Sequence, residues 1–137
     1  MRLVLILAGL AALACAAALL TPQGRDLARQ VKAEAGFRLF VAGLEGTRRE
    51  SLRLAMPDGT RLATDVYLPR DGGTVPAVLI RLPYHRKHYG EARRWIEAFA
   101  PRGYAVVVQD MRGRWGSEGT FAPWPHAGPD GAATLDW

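Results

Sequence analysis

The side chains that could serve catalysis lie in two polar loops in the second half of the chain. The first loop, residues 83–90, reads Pro-Tyr-His-Arg-Lys-His-Tyr-Gly and carries a candidate hydroxyl donor, Tyr84. The second carries Ser117, a residue type that acts as nucleophile in serine hydrolases. A nucleophile elbow needs glycine two positions before and two after the serine. Gly119 is present but Trp115 stands at the other position, so we interpret Ser117 as a loop residue that hydrogen-bonds locally or caps.

The sequence gives little indication of a metal or cofactor site. Its three histidines, His85, His88 and His126, fall in predicted loops, and no carboxylate stands at ligand spacing from the first two. The single cysteine, Cys15, excludes a disulfide within the chain and a cysteine-based metal site. We therefore expect loop histidines, no metal ion and no cofactor.

The pattern of apolar residues predicts an α/β fold. Residues 50–56 and 61–68 alternate in polarity around the turn Pro-Asp-Gly-Thr, which predicts an antiparallel hairpin of half-buried strands. Residues 76–82 and 104–109 are near-continuous apolar runs, as in strands that are buried on both faces. A predicted helix, residues 91–102, separates them. This order gives parallel strands with a right-handed crossover, and a hairpin that feeds such a unit is typical of the start of an α/β-hydrolase sheet.

Tyr84 follows the first of these buried strands, at the carboxyl edge of the sheet where α/β proteins bind ligands. A hydroxyl donor there can stabilise a developing oxyanion by a few kcal/mol. The residues alone favour the simpler alternative, a loop tyrosine that hydrogen-bonds the backbone. Asp110 and Arg112, after the second strand, are predicted to fix their loop through side-chain to backbone bonds.

The N-terminal region is predicted to target the chain to a membrane. In residues 1–20, Arg2 precedes an uncharged Leu- and Ala-rich run, which fits a cleaved secretory signal and an uncleaved transmembrane anchor equally well. We expect the protein to be membrane-associated or exported to the periplasm or cell surface. Positive charges soon after the run resist export, so an anchored form facing the cytoplasm is the alternative.

Residues 21–46 predict a linker helix that Thr21 caps, with Pro22 at its first position. This helix could pack on the domain, which we favour, or lie on the membrane surface. Residues 47–137 then form the domain proper, which we predict to be an incomplete α/β-hydrolase domain.

The net charge of +5 comes from sixteen arginines and two lysines scattered among acids. Because no segment interleaves basic with aromatic residues, we expect no nucleic-acid partner.

Five segments together resemble one family of enzymes. They are Asp-Gly-Thr-Arg-Leu-Ala-Thr-Asp-Val-Tyr-Leu-Pro from residue 58, Arg-Leu-Pro-Tyr from 81, Arg-Gly-Tyr-Ala-Val-Val-Val-Gln-Asp from 102, Arg-Gly at 112 with Ser-Glu-Gly at 117, and Gly-Pro-Asp-Gly from 128. In this order and spacing, residues 50–137 resemble the cocaine esterase and X-prolyl dipeptidyl aminopeptidase family of serine hydrolases. The resemblance implies an α/β-hydrolase fold with a Ser–Asp–His triad in that chain order, and assigns Tyr84 to the oxyanion.

The resemblance also implies that the triad lies beyond residue 137. We therefore expect the chain to be the N-terminal part of a serine hydrolase that cleaves ester or peptide acyl bonds of a small substrate. We expect the nucleophile, the acid and the base to be absent from these 137 residues. Members of the family that the chain resembles usually carry more acids before and within the last predicted helix, which begins near residue 129. Here Asp130 and Asp136 are its only carboxylates, and this departure from the family favours an esterase or acylase. The alternative is a catalytically inactive, truncated membrane-associated protein. A membrane-surface binding module is a weaker third.

Overall fold

The protein, a computed structural model, is described at residue 17 and over residues 20–137. The chain divides into two compact units with the boundary between Leu39 and Phe40. The elements are α1 (Pro22–Ala42), β1 (Thr47–Ala55), β2 (Arg61–Pro69), β3 (Ala77–Leu82), α2 (Gly90–Phe99) with a 3-10 turn (Ala100–Arg102), β4 (Ala105–Asp110) and α3 (Pro123–Asp136).

Helix α1 begins as its sequence predicts. Pro22 occupies the first helical position, where its missing N–H costs nothing, and the Thr21 hydroxyl accepts a hydrogen bond from Gly24 N at 3.0 Å. Leu27 and Val31, on the predicted apolar face, are mostly exposed. None of the helices in the described part of the chain is long and apolar enough to cross a membrane. The predicted signal or anchor, residues 1–20, lies outside the described residues except at positions 17 and 20.

Strands β1 and β2 form the predicted hairpin. The chain reverses through Gly59, whose φ of 82° lies in the left-handed region that glycine enters without strain. Met56 N donates to Thr60 O at 2.8 Å and closes the turn. The register places Leu54 opposite Leu62, and these two residues pack with Met56 into a buried cluster that Ala133 of α3 covers.

The crossover unit is also as predicted. β3 and β4 run parallel, with Leu79 opposite Val107, and α2 connects them, burying Ala92 and Ile96. β2 then pairs antiparallel with β4, so the sheet order is β1-β2-β4-β3. A hairpin joined antiparallel to a parallel pair is the N-terminal part of an α/β-hydrolase sheet.

Two burial predictions were wrong. β2 was predicted to be half-buried, but residues 62–67 are buried on both faces, because the face that carries Asp65 is covered by charged partners from other segments. β3 was predicted to be covered on both faces, yet its residues are at most half-buried. The reason is its position: among the described strands β3 pairs only with β4, at the edge of the sheet.

Helix α3 begins at Pro123, well before the predicted start near residue 129, and contains Pro129 in its interior. It turns Asp130 and Thr134 towards the sheet, where both are buried. Thr134 Oγ1 lies 2.7 Å from Asp130 O and 3.2 Å from Oε1 of Gln109 on β4. A buried polar contact therefore joins this helix to the centre of the sheet.

Candidate functional site

The two loops that the sequence singled out meet at the carboxyl ends of β3 and β4. Met111 N donates to Leu82 O at 2.9 Å and carries the strand pairing one step past β4. Tyr84 follows two residues after Leu82 and is 53 % exposed. Its ring stacks on Tyr89, with centroids 4.8 Å apart. Parallel strands that end together in this way form the edge at which α/β folds bind ligands.

The Tyr84 hydroxyl makes no hydrogen bond to any residue that the structure describes. The simpler alternative, a loop tyrosine that bonds the backbone, is therefore not what the described residues show. A half-exposed hydroxyl without a protein partner can donate its proton to a ligand at the sheet edge. This geometry is compatible with a donor to an oxyanion and does not by itself assign that role.

The backbone on both sides of Tyr84 is held by the second loop. Pro83 O accepts hydrogen bonds from Arg114 Nε at 2.9 Å and Trp115 Nε1 at 3.2 Å. Arg86 N, two residues after Tyr84, donates to Asp110 Oδ1 at 2.8 Å. Because both anchors come from one loop, the tyrosine is carried on a backbone of fixed position. The sequence predicted that Asp110 fixes the loop after its own strand, but not its bond to Arg86 N or the bonds from Arg114 and Trp115.

Asp110 is the central acceptor of this loop and is fully buried. Its Oδ2 accepts from Arg86 Nη1 at 2.5 Å and from Gly116 N at 3.2 Å. Arg86 also approaches Asp65 Oδ2, at 3.3 Å from its Nε. The buried carboxylate thus accepts hydrogen bonds from a guanidinium and from two backbone N–H groups. The predicted bond from Asp110 to the backbone of the loop after its strand is confirmed at Gly116 N.

The Ser117 hydroxyl is engaged in two hydrogen bonds with the backbone. It donates to Asp110 O at 2.6 Å and accepts from Ala63 N at 2.9 Å, so it ties the loop to β2. The other serine of the chain, Ser51, lies 2.5 Å from Asp65 Oδ1 through its Oγ. Neither serine contacts a histidine, and an activated serine needs a base within hydrogen-bond reach. The sequence argument against Ser117 as nucleophile agrees with this geometry.

Arg112 differs from its prediction. Its guanidinium binds side chains, not backbone: Nε and Nη2 donate to Asp130 at 3.1 and 2.6 Å, and Nη1 donates to Asp58 at 2.6 Å. Nη1 also reaches Thr60 Oγ1 at 2.6 Å. The hydrogen bond from Arg112 holds the pKa of the Asp58 carboxyl well below its usual range, and both partners raise the pKa of Arg112. Arg112 therefore joins the hairpin turn to helix α3.

A second arginine enters the same network from β3. Arg81 Nε donates to Gln109 Oε1 at 2.8 Å, and its Nη1 donates to Ala127 O. Its Nη2 lies 3.6 Å from Asp130 Oδ2. Burial is the main cause that lowers the pKa of Arg81. The two arginines together fix the first turns of α3 beside the sheet edge.

The predicted loop histidines form no metal site. His85 and His88 stack, with ring centroids 4.3 Å apart, and His85 Nδ1 accepts from Lys87 N at 3.2 Å. Burial, followed by the neighbouring His88, lowers the pKa of His85. The prediction that His126 lies in a loop was wrong, because it lies within α3, which begins earlier than predicted. Over residue 17 and residues 20–137, no group of three or more potential metal ligands is found.

An aromatic groove of about 260 Å³ lies beside Tyr84, and its walls are Tyr84, His85, His88, Tyr89 and Trp115. Trp115 is 60 % exposed and has a φ of 49°, a left-handed conformation that is rare for a bulky residue. Its indole tilts over the His85 ring, with centroids 5.1 Å apart. The groove is large enough for a planar group of about the size of benzene.

The comparisons with known proteins agree on one kind of enzyme. Residues 58–137 match the family described as X-Pro dipeptidyl-peptidase (S15 family). The cocaine esterase of Rhodococcus sp. (strain MB1 Bresler) is 41 % identical over 91 residues, which cover 64 % of this chain and 16 % of that enzyme. The chain thus spans about a sixth of the length of that curated relative.

Two solved structures share the fold. An aminopeptidase from a marine sediment Thaumarchaeota archaeon has a TM-score of 0.50 and 28 % identity, covering 58 % of this chain and 15 % of its own. A CocE/NonD family hydrolase from Staphylococcus aureus has a TM-score of 0.57 and 21 % identity, covering 65 % and 20 %. In both, the similarity is confined to a small part of the larger enzyme.

Proposed function

The chain belongs to the X-Pro dipeptidyl-peptidase (S15) family of cocaine esterase-like serine hydrolases, and we propose that it supplies the first strands and the oxyanion donor of an enzyme that cleaves ester or peptide acyl bonds. The observation that carries the proposal is the Tyr84 hydroxyl. It is half-exposed at the carboxyl edge of the sheet, has no partner among the described residues, and stands on a backbone held from both sides.

In the proposed reaction, a nucleophile outside these 137 residues attacks the substrate carbonyl. Negative charge then develops on the carbonyl oxygen, and Tyr84 Oη–H donates a hydrogen bond to it. A donor whose position is fixed before the reaction needs no reorganisation when the charge appears, so its stabilisation falls on the transition state. The anchors on Pro83 O and Arg86 N supply that fixed position.

We further propose that the 137-residue chain alone does not turn over esters. Both of its serines are engaged in structural hydrogen bonds, and neither contacts a histidine. A purified chain that hydrolysed a simple aryl ester, with activity abolished by Ser117→Ala, would contradict this. An inactive, membrane-associated role for the chain is the alternative function.

A chimera tests the role of Tyr84. Residues 47–137 of this chain replace the aligned segment of the Rhodococcus cocaine esterase, and hydrolysis of an aryl ester is measured. We expect Tyr84→Phe to lower kcat by about 100-fold with KM nearly unchanged, the usual scale for one oxyanion donor. Tyr104→Phe is the matched control, since it removes the hydroxyl of a tyrosine that packs on Phe99 just before the start of β4, away from the sheet edge that carries Tyr84, and it should leave kcat unchanged. Equal kcat in wild type and Tyr84→Phe would show that Tyr84 has no catalytic part.

The substrate and location are also proposals. Helix α3 has only two acidic residues, Asp130 and Asp136, and Asp130 is already bonded to Arg112. Little negative charge is left to bind a peptide amino terminus, so we favour an ester or acyl substrate.

We propose that residues 1–20 direct the chain to the membrane or through it. Fusion of a periplasm-dependent phosphatase after residue 137 tests this: activity indicates export, and its absence with a membrane-bound product indicates a cytoplasmic orientation.

A further inference from the structure

Arg114 differs from the other arginines around the site in having no acidic partner. Arg49, Arg81, Arg86 and Arg112 each lie within 4 Å of an aspartate carboxylate. Arg114 is half-buried in the same region, and no carboxylate of the described residues pairs with it. Its two terminal nitrogens make no hydrogen bond to any described residue. A guanidinium that is partly removed from water without a counter-charge is ready to bind an anion.

The guanidinium of Arg114 is also held in place. Nε donates to Pro83 O at 2.9 Å, and Cζ lies 5.8 Å from the Trp115 ring centroid and 5.0 Å from that of Phe121. Two aromatic rings and one hydrogen bond restrict the long side chain before any ligand arrives. Such preorganisation lowers the entropy lost on binding.

Trp115 connects this cation to the aromatic groove. The indole that contacts Arg114 also forms a wall of the groove beside Tyr84. A planar apolar group in the groove would therefore contact the same indole as the guanidinium of Arg114. The left-handed backbone of Trp115, rare for a bulky residue, places the ring in this exposed position.

We infer that Arg114 and the aromatic groove form a subsite for a carboxylate carried by a planar apolar group of the substrate. The inference rests on the proposed function, since it describes the substrate side of the Tyr84 site. It names the substrate class as esters whose acyl or alcohol part bears a free carboxylate next to an aromatic or similar flat group. The carboxylate binds Arg114 through the terminal nitrogens, because Nε is already bonded to Pro83 O.

The test measures binding on the 137-residue chain and needs no turnover. Phenylacetate, its neutral analogue 2-phenylethanol, and acetate are titrated at constant ionic strength and pH 7.5. Binding is followed by the indole N–H resonance of Trp115, which Trp115→Phe assigns. We expect phenylacetate to bind at least about tenfold more tightly than the alcohol, the effect of one charge-assisted hydrogen bond. Arg114→Gln should abolish that difference. Arg70→Gln, which removes an exposed loop arginine, should leave it intact.

Three results would overturn the inference: equal affinity of wild type for phenylacetate and the alcohol, an undiminished preference in Arg114→Gln, or acetate binding as tightly as phenylacetate. If Arg114→Gln fails to fold, Arg114→Met decides, since it removes the charge and keeps an apolar chain against Trp115 and Phe121. Lost preference for the acid in the folded variant supports the subsite, and retained preference overturns it. Because binding does not depend on the Tyr84 hydroxyl, loss of kcat in Tyr84→Phe and loss of carboxylate preference are separate outcomes.

Discussion

Replacement of Arg112 by methionine should strongly destabilise the domain. The guanidinium binds Asp130 of α3 with two hydrogen bonds and Asp58 of the hairpin turn with two more. Asp130 is 2 % exposed. After Arg112→Met, the nearest remaining cation is Arg81, whose Nη2 lies 3.6 Å from the Asp130 carboxylate, so a buried charge would keep only one distant partner.

The size of the effect follows from burial. Removal of one partner of a buried ion pair costs about 3–5 kcal/mol. Because Arg81 still offsets part of the Asp130 charge, we expect the low end, about 3 kcal/mol of unfolding free energy. The Asp58 side of the contact is exposed and should add little. For a domain of this size, such a loss lowers Tm by more than about 10 °C.

Urea unfolding followed by circular dichroism measures the loss. Arg61→Met is the matched control, because Arg61 also donates two hydrogen bonds to a carboxylate, that of Glu118, but both side chains are exposed, and exposed ion pairs contribute little. A double-mutant cycle with Asp130→Asn locates the source. Equal destabilisation in the two arginine variants, or an Arg112→Met cost unchanged by Asp130→Asn, would refute the reasoning.

Three other outcomes are expected, two from urea unfolding and one from an acid titration of stability. Gly113→Ala should destabilise by more than about 4 kcal/mol, because a Cβ there overlaps the backbone of Phe121, whereas Gly59→Ala, at a similar φ but in open space, should cost about 1 kcal/mol. Ser117→Ala should cost about 1–2 kcal/mol through two unmade hydrogen bonds. Arg112 lowers the folded-state pKa of Asp58. The stabilisation from this ion pair is therefore complete above the unfolded pKa of about 4, and it is lost as the pH falls from there through the folded-state pKa. In an acid titration of stability, a wild-type curve that matches the Arg112→Met curve would contradict this.

The secondary structure could be predicted because its signals are local. Alternation around the turn at Gly59 gave the hairpin, and two apolar runs flanking an amphipathic helix gave the parallel pair. Helix α3 was misplaced because prolines between residues 123 and 129 suggest breaks, although the first turn of a helix tolerates proline. The burial of β2 could not be predicted, since Asp65 is covered by Arg86, a residue distant in sequence.

The site was predictable to the level of single residues but not of their partners. The motif around Tyr84 indicates the loop that carries the hydroxyl, and the resemblance assigns its role, which stays a prediction. The bonds from Arg114 and Trp115 to Pro83 O join side chains to a backbone carbonyl about thirty residues away. No periodic pattern of residue types in the sequence predicts such bonds. The acceptor is a carbonyl that every residue possesses, so no residue type marks it in advance.

The polar residues between Asp110 and Gly119 act here as a structural unit. Asp110 binds Arg86 and Gly116, and the Ser117 hydroxyl binds Ala63 N and Asp110 O. Arg112 fixes the start of α3. Each contact restricts the second loop, and that loop in turn holds Pro83 O. The specific polar residues of this segment therefore act together to fix the backbone that carries Tyr84.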